Sequence, residues 1–373
     1  MGWSITLGRI AGTEIRVHFT FFLLVAWFAV SAAVSGGQAA ALDATLFIFA
    51  VFACVVAHEY GHILVARRYG IKTRDITLLP IGGVASLEQM PRRPGQELLV
   101  ALAGPAVNVV IAALLLGVAG GDLGKLTASE PGEIHKIDFV SRLALVNVAL
   151  AGFNLLPAFP MDGGRVLRAV LSFGMDRVRA TRIAASIGQL VAFGLGFLGL
   201  FGNPLLIFIA LFVFIAASHE AYAVELDEAT KGAAMGRATI TSFATLAVDA
   251  TVATAVETLL STEQREFPVT DGQGQMRGVL TRDGIIKALS STGPETAVIE
   301  VMERDVATVH CKAPLAEAVD ALHAGGSSLV GVLDDAGRIV GIVTKENVAE
   351  YMMVAQARRG WQRWLRRGQG PGR

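Results

Sequence analysis

The stretch ATLFIFAVFACVVAHEYGHILV, Ala44–Val65, decides how this chain has to fold. Its first part, Ala44–Ala57, carries no charge, and one Glu and two His follow inside the same apolar run. A run of this length can cross a bilayer as a single helix. Ionisable side chains at membrane depth are expensive and are retained mainly for function. The stretch therefore predicts a membrane helix that carries a polar functional site.

The rest of the chain supports a membrane protein. It is 53% hydrophobic and only 17% charged, whereas soluble domains are about 25% charged. The formal net charge is zero, so no nucleic-acid partner is expected. We predict about six transmembrane helices, at roughly Phe19–Ser35, Ala44–Val65, Leu98–Gly120, Phe139–Leu156, Ile183–Phe201 and Pro204–Val224. The alternative is that the second and fourth of these segments, which are weaker, are buried helices of a soluble core.

Charge also divides the chain into domains. The first 225 residues carry 30 charged side chains, and the remaining 148 carry 34. Lys and Arg concentrate in the second-to-third and fourth-to-fifth connections, which places both termini in the cytoplasm and the chain in the cell (inner) membrane. The predicted parts are a membrane domain (1–225), a linker (226–238), two repeats (239–291 and 292–355) and a basic tail (356–373).

The sequence HEYGH contains the spacing of a metal site. On a helix, His58 and His62 lie on one face and can bind one zinc ion, and Glu59 beside them can act as a general base. A catalytic zinc usually takes a third protein ligand. Asp162 is the best candidate, because it follows an uncharged stretch and lies in a segment that Pro and Gly break. The alternative is that Asp162 only caps the next helix at the membrane surface.

Three motifs together resemble the site-2 protease family of intramembrane zinc metalloproteases. They are HEYGH, the sequence NLLPAFPMDGGR at Asn154–Arg165, and GPAVN at Gly104–Asn108. The resemblance covers about 225 residues. Met161 stands where the family usually has Leu, which is a mild change.

The resemblance implies a set of roles. Zinc would be held by His58, His62 and Asp162, with Glu59 as the base. Asn154 would lie near the site and help to hold the substrate or the oxyanion.

The segment TLLPIGGVASL, Thr77–Leu87, resembles the membrane-dipping β-hairpin of that family. Gly82 and Gly83 form a turn pair between apolar residues. A free strand edge there could hydrogen-bond an unwound substrate segment, which lipid cannot do. The alternative is a plain amphipathic connection between two helices.

The soluble part is an internal repeat of 63 residues. Phe267–Ile285 aligns with Val330–Val348, and each copy predicts a helix, two short strands and a second helix. The pair resembles a soluble α/β tandem of cystathionine-β-synthase-type (CBS) domains. That resemblance implies dimerisation or an adenine nucleotide in the cleft, with Thr281, Thr344 and Asn347 as candidate contacts. The usual ribose-binding Asp is replaced by Gly284 in the first copy and by Asn347 in the second.

The sequence therefore predicts a polytopic α-helical membrane protein joined to a soluble CBS pair. We expect an intramembrane zinc endopeptidase that cleaves membrane-anchored regulatory proteins, with the CBS pair as a regulatory module. Its partners would be a single-pass membrane substrate, membrane lipid and a second copy bound through the CBS pair. The rival hypothesis is a metal-ion transporter or channel gated by the CBS pair, because polar residues in membrane helices also line ion pathways.

Overall fold

The structure, a computed structural model, describes residues 4–10, 12–80, 82–87, 91–119, 138–324 and 328–368. Gly120, where the third predicted segment ends, and the last five residues of the basic tail lie outside these ranges. Internal contacts divide the chain into two units, residues 1–224 and 225–373. Each unit is described separately below.

The first long helix, α1 (Phe19–Arg68), folds back on itself. Its backbone leaves the helical conformation at Gly37, where φ is 75° and ψ is −166°. The rings of Phe21 and Phe52 are 4.6 Å apart, whereas a straight helix would separate them by about 46 Å. The two legs on either side of Gly37 therefore pack side by side. They correspond to the first two predicted segments, although the helix continues through Gly36 and Gly37, past the predicted end of the first segment at Ser35.

Among the described residues of the first unit, five further helices follow α1. Four described helices are long and apolar enough to cross a membrane: α1, α2, α5 and α6. The fourth predicted segment, α3, is shorter, so the count of six spans stays a prediction. α2 packs against α1, α3 and α4. The bounds are α2 (Pro94–Val118), α3 (Phe139–Asn154), α4 (Asp162–Ser172), α5 (Arg177–Phe201) and α6 (Leu205–Thr230).

A four-stranded sheet lies against α1, in the order β1-β2-β3-β4. The predicted hairpin forms as β3 and β4, and β4 lies at one edge of the sheet. Its depth in a membrane stays a prediction. Sequence patterns did not indicate β1 and β2, because β2 pairs in parallel with β3 across the whole of α1. The strands are β1 (Ser4–Ile10), β2 (Thr13–His18), β3 (Thr73–Leu79) and β4 (Gly82–Leu87).

One face of the sheet is apolar and faces the first helix. Ile15, Val17, Ile76 and Leu78 of the two central strands form a buried cluster with Phe21, Phe52 and Ile63 of α1. This packing fixes the sheet on the leg of α1 that carries HEYGH.

The second unit consists of two similar halves. Each half has a short strand, a helix, an antiparallel strand pair and a closing helix. Ile240 pairs with Ile342, and Glu303 pairs with Val279, so the segment ahead of each half bonds to the last strand of the other. The elements are β5 (Leu246–Ala247), α7 (Val252–Ser261), β6 (Glu266–Thr270), β7 (Met276–Thr281), α8 (Arg282–Ser291), α9 (Val298–Val301), β8 (Thr308–His310), α10 (Leu315–Ala324), β9 (Leu329–Leu333), β10 (Ile339–Thr344) and α11 (Lys345–Gly368).

Candidate metal centre

Three buried side chains of the first unit bring their ligand atoms together. Asp162 Oδ2 lies 3.2 Å from His58 Nε2 and 3.1 Å from His62 Nε2, and the two Nε2 atoms are 3.1 Å apart. In a tetrahedral zinc site, bonds of about 2.0–2.2 Å place neighbouring ligand atoms roughly 3.3–3.6 Å apart. Two imidazoles and one carboxylate are also a donor set that zinc accepts. The cluster therefore fits a zinc ion after a small outward movement of the side chains.

Local structure explains why Asp162 reaches the two imidazoles. His58 and His62 share a face of α1 because they are four residues apart. Asp162 is the first residue of α4, which follows the loop that breaks the uncharged stretch. A Cβ on Gly163 would come within 2.2 Å of the Leu156 carbonyl oxygen. Only Gly lets the start of α4 pack this closely on the preceding loop.

The second helix holds the two imidazoles from behind. His62 Nδ1 is 2.7 Å from the backbone oxygen of Val100, and His58 Nδ1 is hydrogen-bonded to Oδ1 of Asn108. With both Nδ1 atoms engaged, both Nε2 atoms face Asp162. A Cβ on Gly104 would lie 2.3 Å from His62 Nε2 and 2.7 Å from His58 Nε2. The backbone of α2 at Gly104 is therefore one wall of the cluster.

Glu59 lies beside the cluster and is not one of its three ligands. Its side chain is half-buried, and a Cβ on Gly83 would come within 3.0 Å of its Cγ and 3.4 Å of its Oε1. Gly83 belongs to β4, whose outer edge pairs with no other strand of the described sheet. A carboxylate and a free strand edge thus meet next to the ligands.

Asn154, the last of the residues predicted for the protease site, is not in contact with the three ligands in the part of the chain that the structure describes. Asn154 is the last residue of α3 and is partly exposed. No contact described for its side chain joins it to His58, His62 or Asp162. Its role at the site stays a prediction.

The predicted nucleotide contacts lie at the ends of β7 and β10. Thr281 is the N-cap of α8, and its hydroxyl accepts a hydrogen bond from the backbone N–H of Gly284 at 3.1 Å. Thr344 donates to Asn347 Oδ1 at 2.7 Å and accepts from the Asn347 backbone N–H at 3.3 Å. These polar atoms are therefore engaged in starting the two helices.

An open cleft of about 530 Å³ lies elsewhere in the second unit. Thr241, Thr270, Asp334 and Arg338 are among its lining residues, and the three predicted nucleotide contacts are not. Backbone and side-chain hydrogen bonds from Arg338 hold the pKa of Asp334 below its usual range. The acid and the base of this cleft are thus already paired with each other.

Sequence reasoning missed a buried ion-pair group behind the cluster. Arg168 of α4 is fully buried, and its guanidinium contacts Glu97 of α2 and Glu220 of α6, each at 2.5 Å. Its Cζ also lies 5.1 Å from the centre of the Phe159 ring. The group ties the helix that carries Asp162 to two others. The available signals were Glu97 directly before the third predicted segment and Glu220 inside the sixth.

Two amides were also missed as parts of the site. Asn108 lies inside the GPAVN motif, and Asn147 lies in the uncharged stretch of α3; both are fully buried. An amide in an otherwise apolar membrane segment was the signal that could have indicated them.

Comparison with known proteins identifies both units. Residues 46–126 and 120–195 match the family described as Peptidase family M50. The membrane part of this chain belongs to that family. Residues 236–291 and 298–354 of the M50 peptidase match the CBS domain. The prediction of a metalloprotease of the site-2 protease family with tandem CBS domains is thereby confirmed.

Relatives of this M50 peptidase include archaeal and cyanobacterial proteins. Zinc metalloprotease MJ0392 of Methanocaldococcus jannaschii is 40% identical over 229 residues, which cover 61% of this chain and 63% of that protein. The protein sll0528 of Synechocystis sp. is 28% identical over 378 residues, which cover 96% and 97%. A solved Site-2 Protease from Methanocaldococcus jannaschii is 36% identical and covers 59% of this chain and 95% of its own, with a TM-score of 0.44.

Proposed function

We propose that this M50 peptidase is an intramembrane zinc endopeptidase that cleaves a peptide bond in or near a transmembrane segment of a membrane-anchored regulatory protein. This is the reaction of regulated intramembrane proteolysis. The observation that carries the proposal is the buried His58, His62 and Asp162 cluster, with Glu59 beside it, in a unit built of apolar helices. The name of the archaeal relative supports zinc as the metal.

The chain's own side chains divide the work. His58, His62 and Asp162 would hold the zinc through Nε2, Nε2 and the carboxylate. When bound there, zinc polarises the substrate carbonyl and lowers the pKa of water. Glu59 takes a proton from the attacking water at its carboxylate and passes it to the leaving amine. Its half-buried position keeps the carboxylate within reach of a substrate while the ligands behind it stay dry.

Substrate binding is assigned to the strand next to Glu59. A transmembrane helix hides its carbonyls in its own hydrogen bonds, so the substrate must unwind locally. The outer edge of β4 can then pair with the unwound backbone, and Gly83, the second residue of β4, lies against the Glu59 side chain. Asn154 at the end of α3 is proposed to help to hold the substrate or the oxyanion.

The second unit is proposed as a cytoplasmic regulator. Lys and Arg in the connections favour cytoplasmic termini in the cell (inner) membrane. CBS pairs suit dimerisation or adenine nucleotides, and Thr281, Thr344 and Asn347 are the proposed contacts. We expect ATP or a related nucleotide to change the cleavage rate several-fold, since allosteric coupling is typically 1–3 kcal/mol. A homodimer formed through this pair is part of the same proposal.

The test is cleavage of a panel of single-pass membrane proteins co-expressed with the full chain. Glu59→Gln removes the proton acceptor and should reduce cleavage by at least about 100-fold, the usual size of general-base catalysis, while zinc content is unchanged. The matched control is Glu257→Gln, the same change at an exposed position of α7, which should cleave normally. Normal cleavage by Glu59→Gln would contradict the mechanism.

The metal-ion transporter remains the rival hypothesis. A transporter would use Glu59 as a ligand on the ion pathway, so Glu59→Gln would alter metal uptake into proteoliposomes. A peptidase has no such uptake, in wild type or variant. The family match favours the peptidase.

A further inference from the structure

A chain of hydrogen bonds leads from α3 to the metal ligand His58. Asn147 of α3 donates through Nδ2 to the backbone oxygen of Leu143 at 2.9 Å. Its Oδ1 accepts from Nδ2 of Asn108 on α2 at 2.8 Å. Oδ1 of Asn108 in turn is bonded to Nδ1 of His58. The two amides therefore connect a backbone carbonyl to an imidazole on a different helix.

The direction of every bond in this chain follows from its first member. A backbone carbonyl can only accept, so Asn147 must turn its NH₂ toward Leu143 and its oxygen toward Asn108. Asn108 must then present its NH₂ to Asn147 and its oxygen to His58. An oxygen can only accept, so Nδ1 of His58 carries the hydrogen. The lone pair of a neutral His58 therefore lies on Nε2, which faces His62 and Asp162.

The other imidazole shows why a relay is needed here. His62 finds a backbone acceptor directly, because its Nδ1 is 2.7 Å from the Val100 oxygen. His58 reaches only a side-chain amide, and an amide alone can flip and offer NH₂ instead of oxygen. Asn147 removes that freedom from Asn108. Both amides are fully buried, where a polar group left without a partner is costly, so each amide is held to its hydrogen-bond partners.

We propose that Asn147 is a positioning residue of the metal centre. It acts through Asn108, holds His58 in the Nδ1–H tautomer and so keeps Nε2 available as a ligand. The inference rests on the proposed zinc site but not on the proposed cleavage reaction, because its readout is metal affinity.

The experiment measures the zinc dissociation constant of the purified full-length protein in detergent by competition with a chelator. Asn147→Leu fills a similar volume without polar atoms, and we expect zinc affinity to fall about 10–100-fold. Asn147→Asp, with its buried carboxyl protonated, donates its O–H to the Leu143 oxygen and accepts from Asn108, and we expect affinity within about threefold of wild type, below that 10–100-fold range. The matched control is Thr181→Val, which removes a buried hydroxyl bonded to the Arg177 oxygen in α5 and should leave zinc affinity unchanged.

A double-mutant cycle tests the route through Asn108. Because Asn147 acts only on Asn108, the variant Asn108→Leu with Asn147→Leu should bind zinc as weakly as Asn108→Leu alone. Additive losses would overturn the relay, and so would wild-type affinity in Asn147→Leu. Equal losses in Asn147→Leu and Asn147→Asp would also overturn it, since packing rather than the hydrogen bond would then be responsible. A wild-type protein that binds no zinc would instead refute the metal centre itself.

Discussion

The two regions that the sequence marks as binding sites use their polar atoms in opposite ways. At the HEYGH helix, hydrogen bonds to Val100 and Asn108 engage Nδ1 of both imidazoles. Nε2 of each imidazole is left facing Asp162. In the CBS pair, the hydroxyls of Thr281 and Thr344 are engaged by the helices that they cap. The difference teaches that the bonds around a motif decide how much of its hydrogen-bonding capacity is left for a ligand: both Nε2 atoms at the metal centre, but only a remaining lone pair at each capping hydroxyl.

Among the substitutions that test this comparison, loss of Asp162 should have the largest effect, and the effect is on zinc affinity. Asp162→Ala leaves two imidazoles, and zinc affinity should fall by more than about 100-fold, beyond the loss seen when a residue behind a ligand is removed. Chelator competition on the purified protein measures it. Full affinity in this variant would mean that another residue completes the site, and the contrast between the two regions would fail.

The second-largest effect is expected at Gly104, where the backbone of α2 forms one wall of the cluster. Gly104→Ala places a Cβ 2.3 Å from His62 Nε2 and 2.7 Å from His58 Nε2, which is too close, so the imidazoles must move and cleavage should fall about 100-fold. Gly117→Ala, on the same helix with open space around it, is the control and should cleave normally. Normal cleavage by Gly104→Ala would show that the wall yields easily and that the ligands are not held from behind.

The ion pairs of Arg168 should contribute to the stability of the fold and not to metal binding. The charges of Arg168, Glu97 and Glu220 pair with one another, just as the hydroxyls that cap the CBS helices bond within their own helices, whereas the three metal ligands face a site for an ion. Arg168→Met removes the 2.5 Å partner of the buried Glu97 and leaves it only Arg177 at 3.3 Å, which should cost about 1.5–3 kcal/mol of unfolding free energy. Arg277→Met, at an exposed pair with Asp271, should cost less than about 1 kcal/mol. Denaturant unfolding in detergent compares them, and equal costs would contradict the assignment.

The smallest effect is expected at the CBS caps. Thr344→Val removes a cap hydroxyl and should lower the stability of the second unit by about 1 kcal/mol. Thr258→Val, inside helix α7, should change it by less than about 0.5 kcal/mol. Thermal unfolding with and without ATP gives the decisive readout. Stabilisation by ATP in wild type that disappears in Thr344→Val would support the proposed contact of this hydroxyl with the nucleotide, whereas stabilisation that persists in the variant would exclude it.

Local periodicity explains which parts of the site could be predicted. His58 and His62 share a helix face by spacing alone, and Asp162 is the isolated charge after an uncharged stretch. The partners behind them could not be derived this way. Asn147 and Gly104 owe their roles to which helices become neighbours, and that is a property of tertiary packing. An Asn in an apolar segment indicates that a partner exists without indicating which one.

The same limit applies to the fold. Apolar runs predicted α2, α5 and α6, since a membrane helix is encoded along its own length. The turn at Gly37 was visible as a Gly pair, but its positive φ and the return of the chain along itself were not. The pairing of β2 with β3 joins residues on either side of a 50-residue helix, so no local pattern could indicate it.

The burial of the three ligands also has a consequence for timing. His58, His62 and Asp162 are 5%, 3% and 5% exposed, so a bound ion can leave only when part of the first unit opens. Exchange with ions in solution is then governed by how rarely that opening occurs. A metal bound there therefore exchanges slowly, and a chelator competition reaches equilibrium only after this opening has occurred many times.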